Sequence, residues 1–321
     1  MITTGRRLLD RLATHRYHLY GSALVRIGIG TTILYICLAN YAARHLFWGA
    51  DNPWSPDLFR ADTSRPIGLY TLASSGVWFE VLFHGQILLT LLYIVGYRGR
   101  IVAPLFCIAT FALLQRNSLI LSGGENLFMA ITPFLAVLDG TRRLSLDRVI
   151  ARRRGPRRVV RESPLVVLGT VAHNAAVLAI AVQVCIVYFM AGMYKVAGPL
   201  WRSGEAVYYI MGVPLFGSSG VHAFLADHLL ILSAVTYFTV VLQVGFPVLV
   251  LVRRTRPFVI AAAIAFHLGI AVVMALPQFA LIMISAELIF CDDKHYRALS
   301  RCLRPRSAER SEMSEGGIPV S

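Results

Sequence analysis

Residues 164–195 read PLVVLGTVAHNAAVLAIAVQVCIVYFMAGMYK, an apolar run that contains no acidic residue and no arginine and ends on a lysine. At about 1.5 Å per helical residue, a helix of this length exceeds the roughly 30 Å hydrocarbon core of a bilayer, so it must tilt or begin early. The run closes on Tyr188-Phe-Met-Ala-Gly-Met-Tyr-Lys195, and Pro199-Leu-Trp201 and Gly204-Glu205 follow. Lys195 is the only lysine before Lys294; the other basic residues ahead of it are all arginine. Arginine stays protonated, whereas a buried lysine can lose its proton and act as a base.

The rest of the chain repeats the pattern of that run. Of its 321 residues 56% are hydrophobic and 15% charged, and the mean hydropathy is +0.63. The charges sit between apolar blocks rather than within them, which defines an all-α, polytopic membrane protein and excludes a soluble domain. Eight spans are predicted, near 22–41, 77–97, 101–121, 127–138, 164–195, 222–252, 258–275 and 279–291. The basic segment 1–18 precedes a first span that no small-residue cleavage site follows, so that span is expected to be retained. Residues 19–292 then form one transmembrane domain, and 293–321 form a cytoplasmic, disordered tail. Trp48, Trp54 and Phe59 suit a loop at headgroup depth, and 207–214 reads as an interfacial helix.

Charge orients the spans. With a cytoplasmic N-terminus, 24 of the 31 lysines and arginines fall in 1–18, 98–100, 141–163, 253–257 and the tail, all on the inner side. The outer loops carry only Arg44, Arg60, Arg65 and Arg202. The net charge of +14 is therefore mostly a topology signal. The arginine-rich segment 141–163 suits anionic headgroups of the lipid bilayer rather than nucleic acid. Cys37, Cys107, Cys185, Cys291 and Cys302 all avoid the outer loops, so no disulfide scaffold is expected. No CxxC, HExxH or Walker loop is present.

Polar groups at membrane depth carry the functional question. The topology gathers Glu80, His84, Arg116, Asn117, Glu125, Lys195, Glu205 and His228 near the outer face. Desolvated charges cost at least roughly 2.5–3.5 kcal/mol each, so such groups face one another or a watered cavity. Two readings stand side by side: a polar substrate pocket that opens outward, and an ion-pair network that ties spans together. Arg26 reads as a structural charge, and His173-Asn174 as a source of interhelical hydrogen bonds. His267 reads as a packing histidine that two further polar partners would turn into a proton relay. Glu287 lies low in the last span. Glu80, His84 and His228 lack the spacing of a zinc site, and no metal is expected.

Tyr188-Phe-x-Ala-Gly-x-x-Lys195, followed by Trp201 and Gly204, resembles the hallmark of the HTTM family, the membrane domain shared with vitamin K-dependent gamma-carboxylase. Arg116-Asn117 followed by Gly123-Gly124-Glu125 is similar to that family's Arg-Asn and Gly-Gly-acid turn. His267, with Phe279 and Ser285 in the terminal apolar span, also fits. The resemblance covers roughly residues 18–292. It implies the fold and an outward pocket of quinone size, with a quinone as the one cofactor to consider. In the carboxylase the lysine matching Lys195 deprotonates vitamin K hydroquinone, and a histidine stands near the position of Asn117. Asparagine cannot relay a proton, and a large lumenal substrate-binding domain is missing, so glutamate carboxylation is not expected. The bacterial sporulation-delaying protein B group is similar in size and layout, which implies a role in maturing or exporting a secreted peptide. Three function classes stay open. The first is such a maturation or export factor. The second is a membrane enzyme for a quinone-like or lipid substrate, with Lys195 as general base. The third is a transporter or structural partner of another membrane protein, although internal repeats are not evident.

Overall fold

The structure is a computed structural model, and it describes residues 7, 10–49, 52, 68–72, 75–117, 121–154, 163–214, 216, 219–291, 293 and 296. The expectations for Trp54, Phe59, Arg60, Arg65, Cys302 and the distal tail fall outside those residues. Among the described residues every regular element is helical. The helices are α1 (Leu19–Ala39), α2 (Arg44–Trp48), α3 (Gly76–Val95), α4 (Gly99–Arg116), α5 (Gly123–Val137), α6 (Leu146–Arg153) and α7 (Pro164–Ala197). They continue as α8 (Pro199–Ser203), α9 (Ala206–Met211), α10 (Ser219–Asp227), α11 (Leu229–Leu251), α12 (Arg256–Val273) and α13 (Pro277–Glu287).

Six of these, α1, α3, α4, α7, α11 and α12, are long and apolar enough to cross a membrane. The fourth and eighth predicted spans appear as the shorter helices α5, of 15 residues, and α13, of 11, which a 3-10 turn (Leu288–Phe290) extends. The predicted sixth span does not form one helix. It breaks at His228, which leaves the helical region, so α10 stands apart from α11. At 207–214, read as an interfacial helix, the short helix α9 forms and ends at Met211. The amphipathic α6 inside the arginine-rich segment had no counterpart in the sequence reading.

The helix ends follow from local chemistry. Pro164, Pro257 and Pro277 sit at the first turns of α7, α12 and α13, where their missing N–H costs nothing. Ser122 and Glu125 form a reciprocal capping box at α5. Two aspartates from distant segments cap other helices: Asp147 accepts from the amides of Arg98 and Gly99 at α4, and Asp293 from those of Leu19 and Tyr20 at α1. Each carboxylate also meets the positive end of a helix dipole.

The short apolar helix α13 is well enclosed. α13 packs against α1, α12, α5 and α7, and Ala280, Ile282, Met283, Ser285, Ala286 and Glu287 are all buried. α7 packs most extensively on α11. Gly192 makes that crossing possible: a Cβ there would lie 2.9 Å from the backbone nitrogen of Val244, closer than two helices tolerate. Close backbone approach at small residues is how helices associate in lipid, where no hydrophobic force drives them together. Outward-facing side chains are apolar, with Leu230 88% and Phe258 76% exposed. Such a surface suits lipid and would be a liability in water.

Arg26, in α1, is 2% exposed. Its guanidinium donates to the carbonyls of Tyr93, Ile94, Gly140 and Leu144. Two of these close the last turn of α3, and the others lie in the turn after α5. One cation thus satisfies two carbonyls that the end of α3 leaves open, at the negative pole of that helix, and two more in the turn after α5. The expectation of a structural charge holds.

Candidate functional site

α7, α12 and α13 each contribute one polar side chain to the middle of the bundle. Tyr188 lies about three turns from the end of α7, His267 two-thirds of the way along α12, and Glu287 at the end of α13. They are 1%, 2% and 0% exposed. The Tyr188 hydroxyl donates to Glu287 Oε1 at 2.6 Å. His267 Nε2 closes a triangle, 2.9 Å from the tyrosine oxygen and 3.1 Å from the same carboxylate oxygen. Because the tyrosine proton is committed to the carboxylate, the imidazole must bring an Nε2–H to this corner. Among the described residues its Nδ1, and Glu287 Oε2, have no hydrogen-bond partner. A buried polar atom left unpaired costs about 1–3 kcal/mol, so such orphans call for a functional reason.

The walls are aromatic. Tyr188 stacks on Phe246 with ring centres 3.9 Å apart, and Phe290 meets Phe246 edge-on. Phe266 and Phe279 present edges to the His267 ring. Gly123 and Gly124 belong to the same construction. A Cβ on Gly124 would lie 3.0 Å from Phe279 Cα, so the Gly-Gly start of α5 lets α13 approach and seats Phe279 beside His267. In chemical terms this is an acid, an imidazole and a phenol sharing hydrogen bonds in a dry shell. Such a set can hold and pass a proton without a lone exposed charge.

The other predicted site residues lie in separate places. Glu80 accepts from Arg44 at 2.8 Å and approaches His45 at 2.8 Å. His84, one turn on, sits 3.2 Å from the same carboxylate and 3.0 Å from the Tyr41 hydroxyl. This group ties α2 to α3 and the end of α1. Arg116 donates to the Gly49 carbonyl at 2.9 Å and Asn117 to that of Phe47 at 3.0 Å, which tethers the end of α4 to the α2 segment. Glu125 accepts from the amide and hydroxyl of Ser122 in the α5 cap. Lys195 is half-buried, donates weakly to Ala191 at 3.5 Å and lies 5.0 Å from the centre of the Trp201 ring. Among the described residues no carboxylate pairs with it, so the expected neighbours Arg116, Asn117 and Glu125 are not at its side. Glu205 is exposed beyond Gly204, and His228 is exposed at the α10–α11 break, stacked on Phe224.

His267 therefore has the two further polar partners that the sequence reading required of a relay. Glu287 was seen in the sequence but not grouped with it. The available signal was an acid inside a terminal apolar span, which marks a functional position by default. Among the described residues no cluster of histidine, cysteine and carboxylates is arranged to hold a metal ion.

A bundle of apolar helices around a buried Tyr-His-Glu centre defines a multi-pass membrane protein with polar chemistry inside its core. Residues 67–294 match the HTTM domain family, and the chain belongs to that family. It is also similar to sporulation-delaying protein SdpB of Bacillus subtilis (strain 168), at 22% identity over 275 residues, 84% of this chain and 80% of that protein. No solved structure matches the chain.

Proposed function

We propose that this HTTM protein crosses the bilayer eight times from a cytoplasmic N-terminus and serves as a maturation or export factor for a secreted peptide, with Tyr188, His267 and Glu287 as its working centre. The carrying observation is that the similarity to SdpB extends over 80% of that protein and 84% of this chain, so it involves a whole membrane layout rather than one shared motif. A dry centre that handles a proton at mid-bundle suits work on a substrate held within the membrane. The test is peptide mass spectrometry of culture medium from the native host with the gene deleted. Loss of a mature secreted peptide, restored by the wild-type gene and not by Glu287→Gln, is expected. An unchanged peptide profile on deletion overturns the proposal.

A second reading makes the chain a membrane enzyme for a quinone-like or lipid substrate, with Lys195 as general base. It rests on the surroundings of Lys195: the ammonium has the Trp201 ring beside it and, among the described residues, no carboxylate to hold its proton in place. Those two residues suit one oxygen and one flat face of a quinone ring, which would supply redox chemistry when bound. Lys195 would bind the oxygen and exchange a proton with it, while Trp201 orients the ring. Oxygen uptake with a reduced quinone should vanish in Lys195→Ala and in Lys195→Arg alike. Full activity in the arginine variant eliminates the base, because arginine does not deprotonate.

A further inference from the structure

The end of the bundle that carries Arg26 also contains a hollow of about 370 Å³, bounded by the end of α3, the start of α4, the 138–142 turn and the start of α7. Arg16, Arg100, Arg142 and a single carboxylate, Asp139, line its polar side. Asp139 is used twice: it pairs with Arg16 and accepts from Arg142 Nε at 2.9 Å. Arg16 Nε is spent on Thr170 Oγ1 at 3.2 Å. Arg100 has no hydrogen bond or ion pair among the described residues. Arg26 lines the hollow too, but its donors are committed to carbonyls.

Four guanidinium groups therefore line the hollow with one carboxylate, which only Arg16 and Arg142 engage, and the local excess is three positive charges. Arg16 registers it. Its side chain is only 11% exposed, and its pKa is pushed down to about 10, first by burial and then by repulsion from Arg142 and Arg100. A shallower hollow of about 510 Å³ continues past Arg100 and Arg142. Much of the remaining wall is apolar. Val137 and Leu165 line the hollow and are 52% and 78% exposed.

We propose that this hollow binds an anionic phospholipid, its phosphodiester against Arg16, Arg100 and Arg142 and an acyl chain along Val137 and Leu165. A phosphate supplies the missing negative charge, and its oxygens match the planar fork of a guanidinium. Basic pockets between spans at headgroup depth are suited to such ligands. A free phosphate would use the arginines equally well but would leave the exposed apolar side chains of Val137 and Leu165 unused. The site is independent of the reading given to Tyr188, His267 and Glu287.

Native mass spectrometry of the full chain in detergent tests the site, with dioleoylphosphatidylglycerol, dioleoylphosphatidylcholine and inorganic phosphate as separate probes. Phosphatidylglycerol should bind saturably and at least roughly 10-fold more tightly than phosphatidylcholine. The double variant Arg100→Gln/Arg142→Gln should weaken it by roughly 30-fold. Arg253→Gln/Arg254→Gln, which removes two arginines from another turn at the same end, should leave it unchanged. A lipid-free melting curve shows whether the first double variant folds. If it does not, Arg100→Gln alone, at an exposed residue with no partner among the described residues, should weaken binding by roughly 5-fold. Equal binding of the two lipids, an equal loss in the Arg253/Arg254 variant, or no loss in the variants at Arg100 overturns the proposal. Saturable, arginine-dependent binding of inorganic phosphate without phosphatidylglycerol binding overturns the lipid assignment.

Discussion

Glu287 shows how much one residue depends on two others. It ends α13 without contact with solvent, and its near oxygen serves both Tyr188 and His267. Glu287→Ala leaves the Tyr188 hydroxyl and His267 Nε2 with each other as partners but removes the acceptor they share, at a cost of about 1–3 kcal/mol. The variant should melt well below the wild type in detergent. Glu287→Gln keeps an amide oxygen where Oε1 stands, so it should keep most of the stability while losing the carboxylate's proton chemistry. Tyr188→Phe keeps the stack on Phe246 and removes only the hydroxyl, which should cost about 1 kcal/mol. An unchanged melting temperature in Glu287→Ala would show that the three groups do not stabilise one another. Lys195 is the contrasting residue: partly exposed and packed on Trp201, it can be replaced with little loss of fold.

Among the elements, the α7–α11 crossing carries the most packing, and Gly192 sets its closeness. Gly192→Val puts side-chain atoms into the backbone of Val244. Overpacking of this kind costs about 1–3 kcal/mol or more when backbone must move. Size-exclusion profiles of a fluorescent fusion should shift from a single peak toward aggregate, whereas Gly85→Val, where a Cβ meets open space, should leave the profile unchanged. A symmetric pair of profiles would mean that Gly192 is not a packing constraint. The helices themselves were legible because apolar runs and the prolines that start them are local signals. The break at His228 was not, since Ala223 to Leu230 reads as a continuous apolar helix apart from Asp227 and His228. The site was half legible. Tyr188, His267, Gly123 and Gly124 were singled out, but which acid would reach His267 depends on how α12 and α13 cross, and spacing along the chain does not encode that. Likewise Glu80, Glu125 and Lys195 share a predicted depth, yet depth does not fix position around the bundle, and each found a partner on its own or a neighbouring segment.

For the whole molecule, contacts sort into two polar ends. One carries Arg16, Arg26, Asp139, Asp147 and Asp293; the other carries Glu80, Arg116 and the α8–α9 segment. The arginine distribution predicts that the first end faces the cytoplasm. In intact cells, a membrane-impermeant thiol reagent should reach a cysteine placed at Ser203 and miss one at Arg154, both of which are exposed. Labelling in the opposite sense reverses the orientation, and equal labelling removes the membrane boundary between them.

The Arg26 clamp also bears on how the chain is made. α1 is synthesised early, yet the last acceptor of its guanidinium, Leu144, lies 118 residues downstream. Until α3 has been translated, that first span carries a cation in a lipid-depth segment with none of its final acceptors, and until α4 and α5 follow it has only the Tyr93 and Ile94 carbonyls. A span in that condition favours retention beside the insertion machinery or the headgroup layer over free release into the bilayer. The arginine thus couples entry of the first span to the arrival of the next three, which gives the nascent protein an order of assembly as well as a bond.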